Sequence, residues 1–134
     1  MDRIAVTSER APTALGPYSQ AIVAGGFVFC SGMPGIDPAT GKPVDGIEAQ
    51  TEQALCNLGA VLAAAGSGLD GLDGLVKLTV FYTHVEDFPV INQVLARHMP
   101  DPPPARSAPA GVVLPHGLLI SVEAIAVVAT RSRD

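Results

Sequence analysis

The chain has no tryptophan, and only two tyrosines and four phenylalanines among its 134 residues. No aromatic series is interleaved with basic residues, so the stacking platform on which proteins hold single-stranded bases is missing. Positive charge is also scarce. Eight Lys and Arg stand against 13 Asp and Glu, and the resulting net charge of -5 repels phosphate backbones. Cys30 and Cys56 are too few and too far apart for a zinc site, and a reducing compartment would leave them as small core hydrophobes. His84, His98 and His116 show neither HxH nor HExxH spacing, so no metal is expected. No apolar run approaches the ~20 residues of a spanning helix. The opening MDRIAVTSERAPTALG carries Asp2 and Glu9 and lacks a continuous apolar core. It does not read as a signal peptide, and a cytoplasmic protein is expected.

What is present is a chain 48% hydrophobic and of the length of one ordinary domain, so residues 1–134 are read as a single domain. YSQAIVAGGFVFCSG reads as strands over 18–24 and 27–31, joined by Gly25-Gly26, because a two-residue hairpin turn needs positive φ. Between Gly46 and Gly66, Ala54, Leu55, Leu58, Val61, Leu62 and Ala65 recur at helical spacing. That pattern predicts a long helix, with Gly66 as its stop. GSGLDGLDG, residues 66–74, is a loop. LVKLTVFYTHV, 75–85, has strand composition, and DFPVINQVLARHM, 87–99, predicts a second helix with Asp87 as N-cap and Pro89 in its first turn.

The last element, GLLISVEAIAVVAT, spans 117–130 and is mostly apolar at both parities. A strand of that kind is covered on both faces. Two helices can cover one; the other must meet another subunit or close into a barrel. Glu123 lies in the middle of this strand, where an ionised carboxylate is costly unless compensated. The turn LPHG, 114–117, suggests a hairpin back to a segment beginning near Ser107, which would pair Glu123 roughly with Ala108 and make Arg106 its near neighbour. Arg106 itself sits in PPPARSAP, 102–109, where prolines restrict the backbone on both sides.

An arginine fork grips a carboxylate, and a shielded glutamate can exchange a proton, so the pair could bind a small organic acid and do acid-base work beside it. A plain ion pair orienting the hairpin is the alternative reading. Taken singly, Tyr18 reads as a half-buried strand aromatic, Asn92 as a solvated helix position, and Ser31 and Gly32 as turn residues ending a strand.

Five segments together resemble the RidA/YjgF family of enamine/imine deaminases: APTALGPYSQA, FCSGMPGIDPATG, VKLTVFYTHVEDFPVIN, PPARSAP and ISVEAIAV, in the family's order. The resemblance implies an α+β, chorismate-mutase-like fold: a mixed sheet with two helices on one face, assembled as a homotrimer around the other. It implies sites between subunits, with Arg106 and Glu123 from one chain and Tyr18, Gly32 and Asn92 from its neighbour; Ser31 and the backbone at Ala108 adjoin them. Arg106 would bind the carboxylate of a 2-imino acid and Glu123 would activate water, giving a 2-oxo acid and ammonia. An imine carbon is already electrophilic, so neither metal nor other cofactor is implied.

The chain departs from the family in two places. Ala108 stands where many relatives have cysteine, and Met33 follows Ser31-Gly32 where glutamine is common, which leaves the imine preferred open. The other classes weighed are a carboxylate-binding or chaperone-like trimer without turnover, and an endoribonuclease, an activity also attributed to the family but opposed here by the acidic composition.

Overall fold

The computed structural model describes residues 1–68 and 71–129; positions 69 and 70 of the predicted loop and position 130 of the predicted last strand lie outside them. Chain order is β1 (Ile4–Val6), β2 (Ala21–Ala24), β3 (Phe27–Pro34), β4 (Ile36–Asp37), β5 (Lys42–Pro43), α1 (Ile47–Ala64), β6 (Leu75–Tyr82), α2 (Phe88–His98), β7 (Ala105–Ser107) and β8 (Ile120–Val127). Six strands form one mixed sheet in the order β1-β2-β3-β8-β6-β7, and β4 pairs with β5 apart from it. Only β6 and β7 run parallel within the large sheet, connected through α2. The fold is α+β, two helices on a mixed sheet, and the sheet is open rather than closed into a barrel.

The hairpin between β2 and β3 turns at Gly25 (φ 61) and Gly26 (φ 83), both in the region glycine enters without a clash. The helical spacing read from the sequence becomes the buried stripe of α1: Ala54, Leu55, Leu58, Val61 and Leu62 are each at most 2% exposed. They pack on Val28, Leu78, Val80, Val122 and Ala126 from one face of the sheet, with Ile91, Val94 and Leu95 of α2. Asp87 does precede α2, but its side chain makes no capping bond and a short 3-10 turn, Val85–Asp87, leads in. Cys30 is buried in this core as expected, whereas Cys56 is exposed on α1.

Three buried amides, with no periodic signal in the sequence, fasten the loops around this core. Asn57 of α1 donates both amide hydrogens inward, to Pro34 O (2.9 Å) and Ile36 O (2.8 Å), and its own oxygen accepts from Gln53. Gln50 donates to Val44 O and accepts from Leu119 N. Gln20 holds Ser8 at both N and O, and donates to Pro12 O at 2.8 Å. Asn57→Leu keeps the volume and leaves two carbonyls without donors, so urea unfolding at fixed protein concentration should show a loss of about 3 kcal/mol. An unchanged midpoint would show that water replaces the amide.

Candidate active site

Residues directly opposite each other on neighbouring strands share a face, so the register places every candidate. On β8, Ile120, Val122, Ala124 and Ala126 are buried under the helices. Ser121, Glu123, Ile125 and Val127 point the other way. Phe27 pairs with Val127 and Phe29 with Ile125, which puts both rings on that second face. Among the described residues no element covers it: Phe29 is 45% exposed, Phe27 42% and Val127 40%. The two-sided apolar pattern of the last strand is therefore real, and among the described residues only one side of it is satisfied.

Glu123 stands in this uncovered face, opposite Thr79, which is in turn opposite Ser107 on β7. The predicted hairpin between β8 and the Ser107 segment does not form. Both edges of β8 are already taken, by β3 and by β6, so the chain after Arg106 pairs with β6 instead. It continues alongside the end of β6, with Tyr82 N donating to Pro109 O and Gly111 N to Thr83 O. The LPHG stretch is a 3-10 turn with His116 at φ 59, not the centre of a hairpin. Glu123 thus does not pair with Ala108; β6 separates it from the strand of Arg106.

Arg106 has the opposite parity to Ser107. It pairs with Leu78, a buried residue, and its side chain lies on the helix side of the sheet edge. There its Nη1 donates to Asn92 Oδ1 at 2.7 Å, and the guanidinium carbon lies 5.4 Å from the centre of the Phe88 ring. Asn92 therefore belongs with Arg106 in the same chain, contrary to the expectation that a neighbour brings it. The guanidinium is held by α2, while the prolines shape the backbone beside it. Pro103, Pro104, Leu78, Leu95 and Met99 line a recess of about 340 Å³ with Arg106.

Glu123 lies in a separate recess of about 240 Å³, with Phe29, Cys30, Lys77 and Thr79 among its walls. Lys77 Nζ donates to Ser107 Oγ at 3.1 Å, joining this recess to the strand that carries Arg106. The Cys30 thiol is pushed up to about 12, first by burial and then by the Glu123 charge. It stays protonated at neutral pH and is no nucleophile. Among the described residues, no group of three or more His, Cys, Asp or Glu side chains is placed to hold a metal ion.

Tyr18 and Gly32 share a third, small recess with Pro12, Leu15 and Met33. Tyr18 is 52% exposed. A Cβ on Gly32 would stand 2.7 Å from Ser121 Oγ, so a larger residue where β3 bulges past β8 would have to displace that hydroxyl. The Ser31 hydroxyl donates to Ser19 O at 2.7 Å and Ser31 N to Gln20 O, which anchors the strand end beside Tyr18. Ala108 is half-buried against the core. The chain thus presents its candidates in three shallow recesses. None of these recesses holds both Arg106 and Glu123.

Lys77, Phe88 and Gln20 were not singled out by the sequence. Phe88 could have been found from its spacing, since it lies four residues before Asn92 and so on the same helical face.

Residues 8–128 match the family described as Endoribonuclease L-PSP. The chain is 44% identical over 122 residues to Reactive Intermediate Deaminase A, chloroplastic, of Arabidopsis thaliana, a match covering 90% of this chain and 64% of that protein. To the 2-iminobutanoate/2-iminopropanoate deaminase of Bos taurus it is 38% identical, over 91% of this chain and 88% of the other. The crystal structure of RidA from the Antarctic bacterium Psychrobacter sp. PAMC 21119 superposes with a TM-score of 0.89 at 37% identity, covering 94% of this chain and all of that one.

Proposed function

The chain belongs to the Endoribonuclease L-PSP (YjgF/RidA) family, and from that premise we propose that it is a hydrolase of 2-imino acids, converting them to 2-oxo acids and ammonia. The observation that carries this reading is Glu123: an acid-base group set in a recess of an apolar sheet face that the chain leaves uncovered. A second copy of the chain packed on that face would shield the carboxylate and convert open recesses into closed ones. We therefore take the working form to be a homotrimer, with sites completed between subunits. Because Arg106 and Glu123 of one chain lie on opposite faces of the sheet, each site would take Arg106 and Asn92 from one chain and Glu123, with Tyr18 and Gly32, from the adjoining one.

In this site Arg106 binds the substrate carboxylate. Asn92 occupies one of the five guanidinium N–H groups, and the others remain to meet the carboxylate oxygens in a fork. Glu123 accepts a proton from water as the water oxygen bonds to the imine carbon, while the nitrogen, protonated in the iminium form, takes the C=N electron pair. The protonated Glu123 next delivers its proton to the amine nitrogen. The C–N bond then breaks, ammonia leaves, and the hydroxyl proton returns to the carboxylate as the C=O bond forms. The Ser31 hydroxyl already donates to Ser19 O, so its part is to hold the Tyr18 segment, and Ala108 would offer only backbone groups.

The family's nuclease description finds no support in the charge of this chain, -5 overall. Among the described residues no helix is long and apolar enough to cross a membrane. Two free thiols fit the reducing cytoplasm, the compartment we propose.

The test is direct. An amino-acid oxidase generates 2-iminopropanoate or 2-iminobutanoate, and semicarbazide traps what remains unhydrolysed. The native protein should lower the semicarbazone yield in proportion to its concentration. An unaltered yield with both imines, at protein concentrations comparable to the oxidase, would remove this reading and favour a carboxylate binder without turnover.

A further inference from the structure

We infer that Phe88 is a positioning residue for substrate capture: its ring fixes the guanidinium of Arg106 in the orientation that receives the carboxylate. The inference rests on the carboxylate-binding role proposed for Arg106.

The Arg106 guanidinium carbon stands 5.4 Å from the Phe88 ring centre, inside the ~6 Å range over which a ring face attracts a cation. Phe88 and Asn92 are one helical turn apart on α2, so they present side by side. Asn92 Oδ1 fixes one edge of the guanidinium at 2.7 Å, and the ring fixes its tilt. Two holds of different kind define an orientation where one would leave a free rotation. This matters because β7 is a three-residue edge strand, exposed throughout, and gives the side chain no packing of its own. A long arginine on such an edge otherwise samples many rotamers, which it must give up when it binds.

The ring is itself held in place. Phe88 is half-buried at the start of α2 and packs on Tyr82, with ring centres 6.0 Å apart, and Tyr82 is buried at the end of β6. A chain of contacts therefore runs from the core through Tyr82 and Phe88 to Arg106. Phe88 has no acid-base or nucleophilic chemistry to contribute, and it touches the arginine, not the proposed water. Its loss should weaken capture and spare the chemical step.

The experiment compares the native protein with Phe88→Leu and Phe88→Tyr. Leucine keeps an apolar side chain and removes the ring face; tyrosine keeps the face. In Phe88→Leu the KM for 2-iminobutanoate should rise about three- to tenfold with kcat within about twofold, and Phe88→Tyr should return KM to near the native value. Thermal midpoints are recorded for both, and Phe88→Met stands in should the leucine variant not fold. A merely structural phenylalanine predicts altered midpoints with native KM in every variant that folds, and that result overturns the inference.

A second readout needs no substrate. The heteronuclear NOE of the Arg106 Nε–H should be that of an ordered group in the native protein and in Phe88→Tyr, and of a mobile one in Phe88→Leu. Equal order in all three overturns the inference even if imines prove not to be substrates. Absence of turnover in the native protein, with Arg106 order lost only in Phe88→Leu, would instead overturn the proposed reaction and leave the positioning role standing.

Discussion

Glu123→Gln should lower kcat for imine hydrolysis by about 100- to 10,000-fold, the range over which a positioned acid-base group contributes, while KM stays within about twofold. Glutamine has the shape of glutamate and keeps an oxygen that can orient water, but it cannot take up the proton that water must lose. The substitution is mild for the fold. Glu123 is exposed on the face of β8 that the helices do not cover, and its backbone bonds to β3 and β6 are independent of its side chain. Thermal unfolding should therefore differ little from native, which separates lost chemistry from lost structure. Stopped or coupled assays across saturating substrate give kcat directly. Turnover retained within about tenfold would assign the proton transfers elsewhere.

Arg106→Ala should act on capture instead, lowering kcat/KM by about 100- to 1,000-fold, mostly through KM. A charged group facing a carboxylate in a shielded site typically contributes about 3 to 4 kcal/mol when truncation leaves its partner unpaired. Arg106→Lys should restore only a small part. An ammonium keeps the charge but loses the planar fork, the bond geometry to Asn92 Oδ1 and the stacking on Phe88. The variants should remain folded, since Arg106 is exposed on an edge strand. The discriminating comparison is with Glu123→Gln: if Arg106→Ala lowered kcat and left KM native, Arg106 would be acting on the reaction and not on the carboxylate, and the two roles would have to be reassigned.

Much of this architecture was legible before any coordinates. Gly25-Gly26 marked a hairpin because only positive φ closes it, and the three- and four-residue spacing from Ala54 to Leu62 marked a helix because that spacing is one helical face. The apolar character of β8 at both parities foretold a sheet with a second face needing cover, and Phe27, Phe29 and Val127 are there to be covered. β1 and the β4-β5 pair were not anticipated, being two or three residues long and without a pattern of useful length. Asn57, Gln50 and Gln20 were missed for a related reason: a buried amide is defined by the carbonyls it meets, and those lie up to 23 positions away for Asn57.

The site divides along the same line. Residue type and local setting in the sequence determined which groups can do chemistry: an arginine among prolines, and a glutamate alone in an apolar strand. Only the tertiary structure decided how they are arranged. A local turn was expected to join their strands, but strand order is set by which edges remain free once longer pairings have formed. β8 gave both edges to β3 and β6, so Arg106 went to the far side of β6 and came under α2, against Phe88 and Asn92. Pairing between distant strands is a competition over the whole sheet, and a single segment of sequence does not contain its outcome.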